Sequence, residues 1–318
     1  MMGMGLFAKT RKLAGWLAIN IQEDGIYAAH VKRVSAAKPS VELLTFYPAT
    51  QEALETALEK FTKERHAERY ECTTLLTPAE YQLLSVDAPN VSQEELKAAI
   101  RWRLKDMLDF HVDDATIDVL DVPADKNAPA RNRSMYAVAA RNQLIEQCQA
   151  RFTLAKIPLS VIDIPEMAQR NIAALVEQQG RGLALLSFDA RGGLLTLTYA
   201  GELYLSRRID ITLQQLQADA AQGNNGYDRI TLELQRSLDH FDRQYHFITL
   251  SKLMLAPLGD VARGLRDYLA ANLYLPVEWL DLESVLDISK AEELKQPGTQ
   301  QQYFLTLGAA LRHEEKVL

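Results

Sequence analysis

The sequence predicts an α/β protein of two lobes with a cleft between them and an extra unit set into the first lobe. Three observations carry this. The runs Leu17–Tyr27 and Ala184–Leu194, 167 positions apart, look like one element used twice: an apolar stretch, a short polar turn with glycine at the same offset (Gly25, Gly192), and a second apolar stretch. Each reads as strand, tight turn, strand. At 318 residues the chain is long enough for two domains. Residues 80–157 carry strands and helices of their own, which reads as an insertion.

The elements follow in order. Strands are expected at 16–22, 25–33 and 41–47. A helix at 51–66 follows, with Leu54, Leu58 and Phe61 on one face. A strand near 72–76 precedes Thr77-Pro78, and Tyr81–Ala88 reads as a strand ending at Pro89. Ser92-x-x-Glu95 is a capping box, so a helix starts at Ser92, and Leu96, Ile100, Leu104 and Leu108 give it one buried stripe. Strands at 116–122 and 135–140 flank a polar loop at 125–133, and a helix at 141–155 closes the unit. Leu159–Ile164 reads as a buried strand and Pro165–Gln179 as a helix stopped by Gly180. The opening pattern then repeats as strands at 183–189, 193–200 and 203–210. A Gly/Asn loop at 223–226 leads into a helix at 228–242 with Ile230, Leu234 and Leu238 in register. A strand at 247–256, a helix at 260–272, a short strand at Val277–Leu280, a polar loop at 290–300 and a helix from Tyr303 complete the chain.

Composition narrows the function classes. A net charge of −7 with no segregated basic stripe argues against nucleic-acid binding, since backbone phosphates would be repelled. Two cysteines, Cys72 and Cys148, make no disulfide framework and read as buried free thiols of a reducing compartment. No apolar run reaches membrane-spanning length. The apolar run Leu13–Ile19 has no signal-type cleavage site and passes into an acidic turn, so it reads as a strand of a cytoplasmic protein. Met1–Phe7 followed by Lys9, Arg11 and Lys12 reads either as a frayed terminus or as a contact with an anionic membrane surface.

The motifs of catalysis are missing. The sequence has no phosphate-loop signature, no G-x-S-x-G elbow and no H-E-x-x-H. Gly3-x-Gly5-x-x-Ala8 precedes the first strand instead of following one, which removes it as a dinucleotide fingerprint. His240 and His246, six apart, fit neither helical nor strand pairing around a metal. Asp106, Asp109, Asp113, Asp114, Asp118 and Asp121 spread over a helix end, a loop and a strand and read as a solvated face. No catalytic residue, metal ligand or nucleophile–base pair is assigned.

Five segments in order carry a family resemblance: Glu94-Glu95-Leu96 with Ile100-Arg101-Trp102-Arg103; Asp113-Asp114-Ala115-Thr116-Ile117-Asp118; Asp163-Ile164-Pro165-Glu166-Met167-Ala168; Gln235-Arg236-Ser237-Leu238 with Phe241; and Leu307-Gly308-Ala309-Ala310-Leu311-Arg312. The chain resembles the actin-like pilus-assembly proteins of the PilM family, most closely the MshI branch from mannose-sensitive haemagglutinin (MSHA) pilus biogenesis. The resemblance implies a two-lobed actin-like (ribonuclease-H-like) ATPase fold with an inserted subdomain. It divides the chain into a first-lobe core at 1–79, continued by 158–180; an insertion at 80–157; a second lobe at 181–302; and a helix at 303–318 returning to the first lobe.

Against that family the turns depart. A PilM-type first turn reads Asp-x-Gly with a Lys a few positions on; this chain has Asn20, Gln22 and Tyr27. The second reads Asp-x-Gly-Ala; this chain has Ser187, Asp189 and Ala190, and Asp189 would repel the anion a glycine should approach. The adenosine-side Gly-Gly pair falls at Ala256-Pro257, ahead of Gly259, and Pro257 has no N–H to donate. Three losses predict a pseudo-ATPase: no cofactor, with Mg-ATP disfavoured. The resemblance then implies a cytoplasmic scaffold, peripheral at the inner membrane. It would bind the N-terminal cytoplasmic peptide of a PilN/MshJ-like single-pass protein in a groove between the first lobe and the insertion, alongside other pilus-platform proteins. Trp102, flanked by Arg101, Arg103 and Lys105, lies about 200° around the helix from Ile100 and either meets that peptide or packs on the insertion's own sheet. The alternatives are an active actin-like ATPase, a cytoplasmic component of a type II secretion platform and, last, a metabolic kinase of the same superfamily.

Overall fold

The computed structural model describes residues 12–35, 37–124, 133–222, 225–259 and 263–313. The chain opens with strands β1 (Trp16–Gln22), β2 (Gly25–Lys32) and β3 (Ser40–Pro48), helix α1 (Leu54–Arg65) and strand β4 (Glu71–Leu75). Next come β5 (Tyr81–Asp87), α2 (Gln93–Leu104), β6 (Ala115–Asp121), β7 (Ser134–Arg141) and α3 (Asn142–Leu154). The chain continues through β8 (Leu159–Asp163), α4 (Pro165–Val176), β9 (Gly182–Asp189), β10 (Gly192–Tyr199), β11 (Glu202–Ile209), α5 (Leu213–Gln222) and α6 (Asn225–Gln244). It ends with β12 (Leu250–Leu255), α7 (Arg263–Asn272), β13 (Val277–Trp279) and α8 (Pro297–Ala310). Among the described residues no helix is long and apolar enough to cross a membrane.

The duplication read from the sequence is a duplication of topology. One sheet runs β3-β2-β1-β4-β8 and a second runs β11-β10-β9-β12-β13. In each, the first two strands form an antiparallel hairpin with a two-residue loop, closed by Gln22 opposite Gly25 and by Asp189 opposite Gly192. The glycines have one reason in common. Gly25 (φ +149°) and Gly192 (φ +136°) lie against the third strand of their sheet, where an added Cβ would come within 2.2 Å of the Tyr47 carbonyl and 2.9 Å of the Ile209 carbonyl. Only glycine tolerates both the backbone angle and the approach.

Helices α4 and α8 fill the space between the two sheets. One apolar cluster joins Ala18, Tyr27 and Ala29 of the first sheet, Ala168 and Ile172 of α4, Leu183 and Leu185 of the second sheet, and Phe304 and Leu307 of α8. The two helices touch at Gly308, where a Cβ would sit 2.3 Å from the Ala168 carbonyl, and Asn171 donates to the Gly308 carbonyl at 2.9 Å. The segments 163–168 and 307–312 are therefore the two sides of this wedge.

A third sheet, β5-β7-β6, stands apart from the other two. One of its faces packs on α2: Val86, Met135 and Ala137 meet Ile100 and Leu104, with Leu96 and Leu108 beside them. The opposite face packs on the first lobe through Tyr81, Ala140 and Ile164. Ser92 caps α2 as its spacing predicts, its N–H reaching the Glu95 carboxylate at 3.4 Å.

Several expectations need correcting. β8 is an edge strand with mostly half-buried side chains, not a buried one. α5 has no counterpart in the sequence reading, because its glutamines and alanines offer little beyond Leu213 and Leu216 as an apolar stripe. α8 begins six residues before Tyr303, at Pro297, which suits the first helical position. α4 ends at Val176, where Glu177 turns extended. The basic terminus up to Arg11 and the loop 125–132 lie outside the described residues.

Candidate functional site

The two hairpin turns face one another across a cleft of about 380 Å³ between the sheets. Asn20, Gln22, Tyr27, Ser187, Asp189, Ala256 and Pro257 all line it, together with Glu23, Asp24, Arg191 and the stretch 301–305 of α8. Gly259 lies just beyond, at φ +61°, 3.8 Å from the Gly298 Cα for an added Cβ. The residues that the sequence reading placed at the two turns and at Ala256-Pro257 thus line one cleft.

Several polar groups of this cleft are bonded to the protein itself. Ser187 donates from Oγ to Gln169 Oε1 at 2.6 Å, and the Gln169 amide in turn donates to the carbonyls of Leu185 and Leu194 and to Thr196 Oγ1. Asn20 is buried and donates to Thr306 of α8 at 3.3 Å. Tyr27 donates to Asp24 at 2.7 Å; burial first, and then the Asp24 carboxylate, push its phenol well above the ordinary tyrosine range. Asp189 accepts the Arg191 N–H at 2.8 Å, folding the second turn upon itself. Three carboxylates (Glu23, Asp24, Asp189) and one guanidinium (Arg191) face the space, which disfavours a polyphosphate. Among the described residues no three His, Cys, Asp or Glu side chains are grouped to hold a metal ion.

The α2 residues divide. Trp102 is 80% exposed, so it does not pack on the insertion's sheet. With Arg103, Lys105, Met107 and the end of β5 it lines an open groove of about 620 Å³ that reaches Gln244 of α6. Arg101 turns elsewhere: it donates to the carbonyls of Ala115 and Asp113 at 3.3 Å each, tying α2 to β6. Arg103 donates to the Asp87 carbonyl at 3.0 Å. The acidic residues nearby are exposed and pair with Lys97, Arg101 and Arg141.

A different groove, of about 230 Å³, lies between the first lobe and the insertion. Leu120 and Val138 of the inserted sheet form one wall; Val161, Ile162 and Met167 form the other, with Arg170, Asn171 and Arg312 at one end. α2 packs on the opposite face of that sheet, so Trp102 lies outside this groove. Neighbouring residues along β6 and β7 point to opposite faces, and the position of α2 on one of them could not be read from helical spacing alone.

Beside this groove the inserted sheet, α4 and the second sheet are joined. Tyr81 of β5 donates to Glu166 of α4 at 2.5 Å, and Arg208 of β11 donates to the Tyr81 hydroxyl and to Glu166, both at 2.8 Å. Tyr136 of β7 donates to the Tyr204 carbonyl of β11 at 3.1 Å. Both cysteines stay protonated: burial pushes the Cys72 thiol up to about 12 and the Cys148 thiol up to about 11. His240 and His246 are exposed.

No protein-family model matches the sequence, and no curated protein does. Among solved structures, a chain of the PilM–PilN type IV pilus biogenesis complex aligns with a TM-score of 0.71 over 94% of this chain and 98% of its own, at 18% identity. A Bacteroides thetaiotaomicron protein described as having an actin-like ATPase fold and unknown function aligns over 92% of this chain and 99% of its own (TM-score 0.48, 12% identity). The fold is actin-like. The cytoplasmic domain of EpsL, an inner-membrane component of the Vibrio cholerae type II secretion system, aligns over 65% of this chain and 75% of its own (TM-score 0.43, 16% identity).

Proposed function

We propose that this protein is a non-catalytic platform component of a type IV pilus machine, of the PilM-like kind and of its MSHA (MshI) branch. It would work at the cytoplasmic face of the inner membrane. There it binds the cytoplasmic N-terminal segment of a PilN/MshJ-like single-pass protein, and its nucleotide cleft is degenerate. The observation that carries the reading is the alignment of nearly the whole chain, insertion included, with a chain of the PilM–PilN complex. The groove between β8 and the inserted sheet supports it: an edge strand and an apolar wall offer an extended peptide both backbone partners and side-chain seats.

Two titrations test it. Calorimetry with Mg-ATP at millimolar concentration is expected to be silent, because Asn20, Ser187 and Asp189 are bonded within the protein. A nucleotide binding the folded state at 100 times its Kd would add about 2.7 kcal/mol, and saturable heat would revive the ATPase reading. The partner's N-terminal peptide is expected to bind the wild type. Val161→Glu should weaken it at least tenfold, about 1.4 kcal/mol, while Trp102→Ala leaves it unchanged. The reverse pattern would move the peptide to the Trp102 groove.

A further inference from the structure

Resting on the reading that the groove beside β8 seats a partner segment, we infer that Arg170 and Arg312 anchor an acidic side chain of that segment. The segment therefore carries an Asp or Glu amid apolar residues. The two guanidinium groups line one end of the groove, and the Nε of each is fully buried with no hydrogen-bond partner. Arg312 has one strong bond, from Nη1 to Asp163 Oδ2 at 2.7 Å, and its guanidinium lies 5.7 Å from the centre of the Trp16 ring. Arg170 forms no hydrogen bond or ion pair among the described residues. A third guanidinium, Arg33, stands near Arg170 but is occupied by the Leu311 carbonyl at 2.6 and 3.1 Å.

The charge at this end does not balance. Asp163 is the buried carboxylate among these residues, and its oxygens already accept from the Ile164 N–H at 2.9 Å and from Arg312. Asp118, on the facing wall, is mostly exposed and pairs with Lys97 at 3.3 Å. Among the described residues, Arg170 and Arg312 thus share a single buried carboxylate at the groove. The parts of the Arg170 and Arg312 side chains that line the groove stay cationic, so a ligand that brings an anionic acceptor to that end is favoured. A planar guanidinium fork suits a carboxylate better than an amide, which offers one acceptor and no charge. The apolar walls of Leu120 and Val138 on one side and Val161 on the other seat the residues on either side of the acid.

The test uses the whole protein and a positional set of short apolar peptides carrying Asp, Asn or Ala at each place in turn, read by fluorescence anisotropy. One register is expected to prefer Asp over both Asn and Ala by about tenfold or more. Arg170→Gln should abolish that preference and leave the Ala peptide's affinity unchanged. Arg170→Lys keeps the charge without the fork and should lose most of it, so the test survives a Gln variant that does not fold. Binding sensitive to Val161→Glu but indifferent to the acid overturns the inference and spares the groove. An acid preference that persists in both Arg170 variants also overturns it, as does equal competition by free phosphate. If no peptide binds, or if Val161→Glu changes nothing, the groove reading falls and the inference with it.

Discussion

The two lobes have the same strand order and the same hairpin glycine, yet they differ in what holds them. The first-lobe anchor Asn20 is tied to α8, whereas its second-lobe equivalent Ser187 is tied through Gln169 to α4. The insertion leaves and rejoins the chain within the first lobe but also packs on the second: Val122 and Tyr136 belong to the second lobe's core cluster. Both lobes are therefore fastened to one wedge of two helices, and the insertion bridges them. Asn20 and Ser187, which line the cleft between the lobes, each hold their lobe to one helix of the wedge.

The wedge is where both lobes fail together. Gly308→Ala drives a Cβ into the Ala168 carbonyl, which is backbone and cannot step aside. We expect a loss of about 3 kcal/mol or more in urea unfolding. A loss below about 1 kcal/mol would mean that α4 and α8 slide freely. The junction of the inserted sheet, α4 and the second sheet comes next. Arg208→Met leaves Glu166, 3% exposed, without its cation, at a cost of about 3 kcal/mol; the double variant Arg208→Met/Glu166→Gln should recover most of it. No recovery would show that packing, not charge, joins the sheets there. The hairpins then separate the lobes. Gly25→Ala meets the Tyr47 carbonyl at 2.2 Å and the Pro48 Cα at 2.9 Å, whereas Gly192→Ala meets only the Ile209 carbonyl, at 2.9 Å. We expect about 3 kcal/mol for the first and about 1 kcal/mol for the second. Equal losses would refute the contrast.

Much of this was legible in the chain. Period-two runs, the repeated glycine offset and the Ser92 capping box placed both hairpins and α2, because each is fixed by local chemistry. The cleft followed from the two turns. The groove did not, since Leu120, Val138, Val161 and Arg170 come from four elements whose approach depends on how the inserted sheet docks. Trp102 shows the same limit: helical spacing put it off the α2 stripe but could not say which side of the sheet α2 covers. The Tyr81–Glu166–Arg208 junction spans 127 positions and left no periodic trace.

The smallest effect separates the lobes by pH. His30 on β2 pairs with Leu17, and the equivalent place on β10, opposite Ala184, holds Leu197. Both side chains are buried. His30 bonds the Ala14 carbonyl at 3.0 Å and meets the Tyr70 ring edge-on, and burial holds its imidazole below the ordinary histidine range. A folded-state pKa lower than the unfolded one means that the unfolded chain takes up the proton first. The stability His30 contributes is thus complete above about pH 6.5 and declines as the pH falls below it, by at most about 1.4 kcal/mol per unit. The first lobe carries this liability and the second does not. Replacing His30 by the second lobe's residue, His30→Leu, frees only the carbonyl of exposed Ala14, which water can satisfy. Urea midpoints at about pH 7 and pH 5 should therefore lie closer together in His30→Leu than in the wild type. An unchanged gap would assign the acid sensitivity to other groups and leave the two β-hairpins equivalent in this respect.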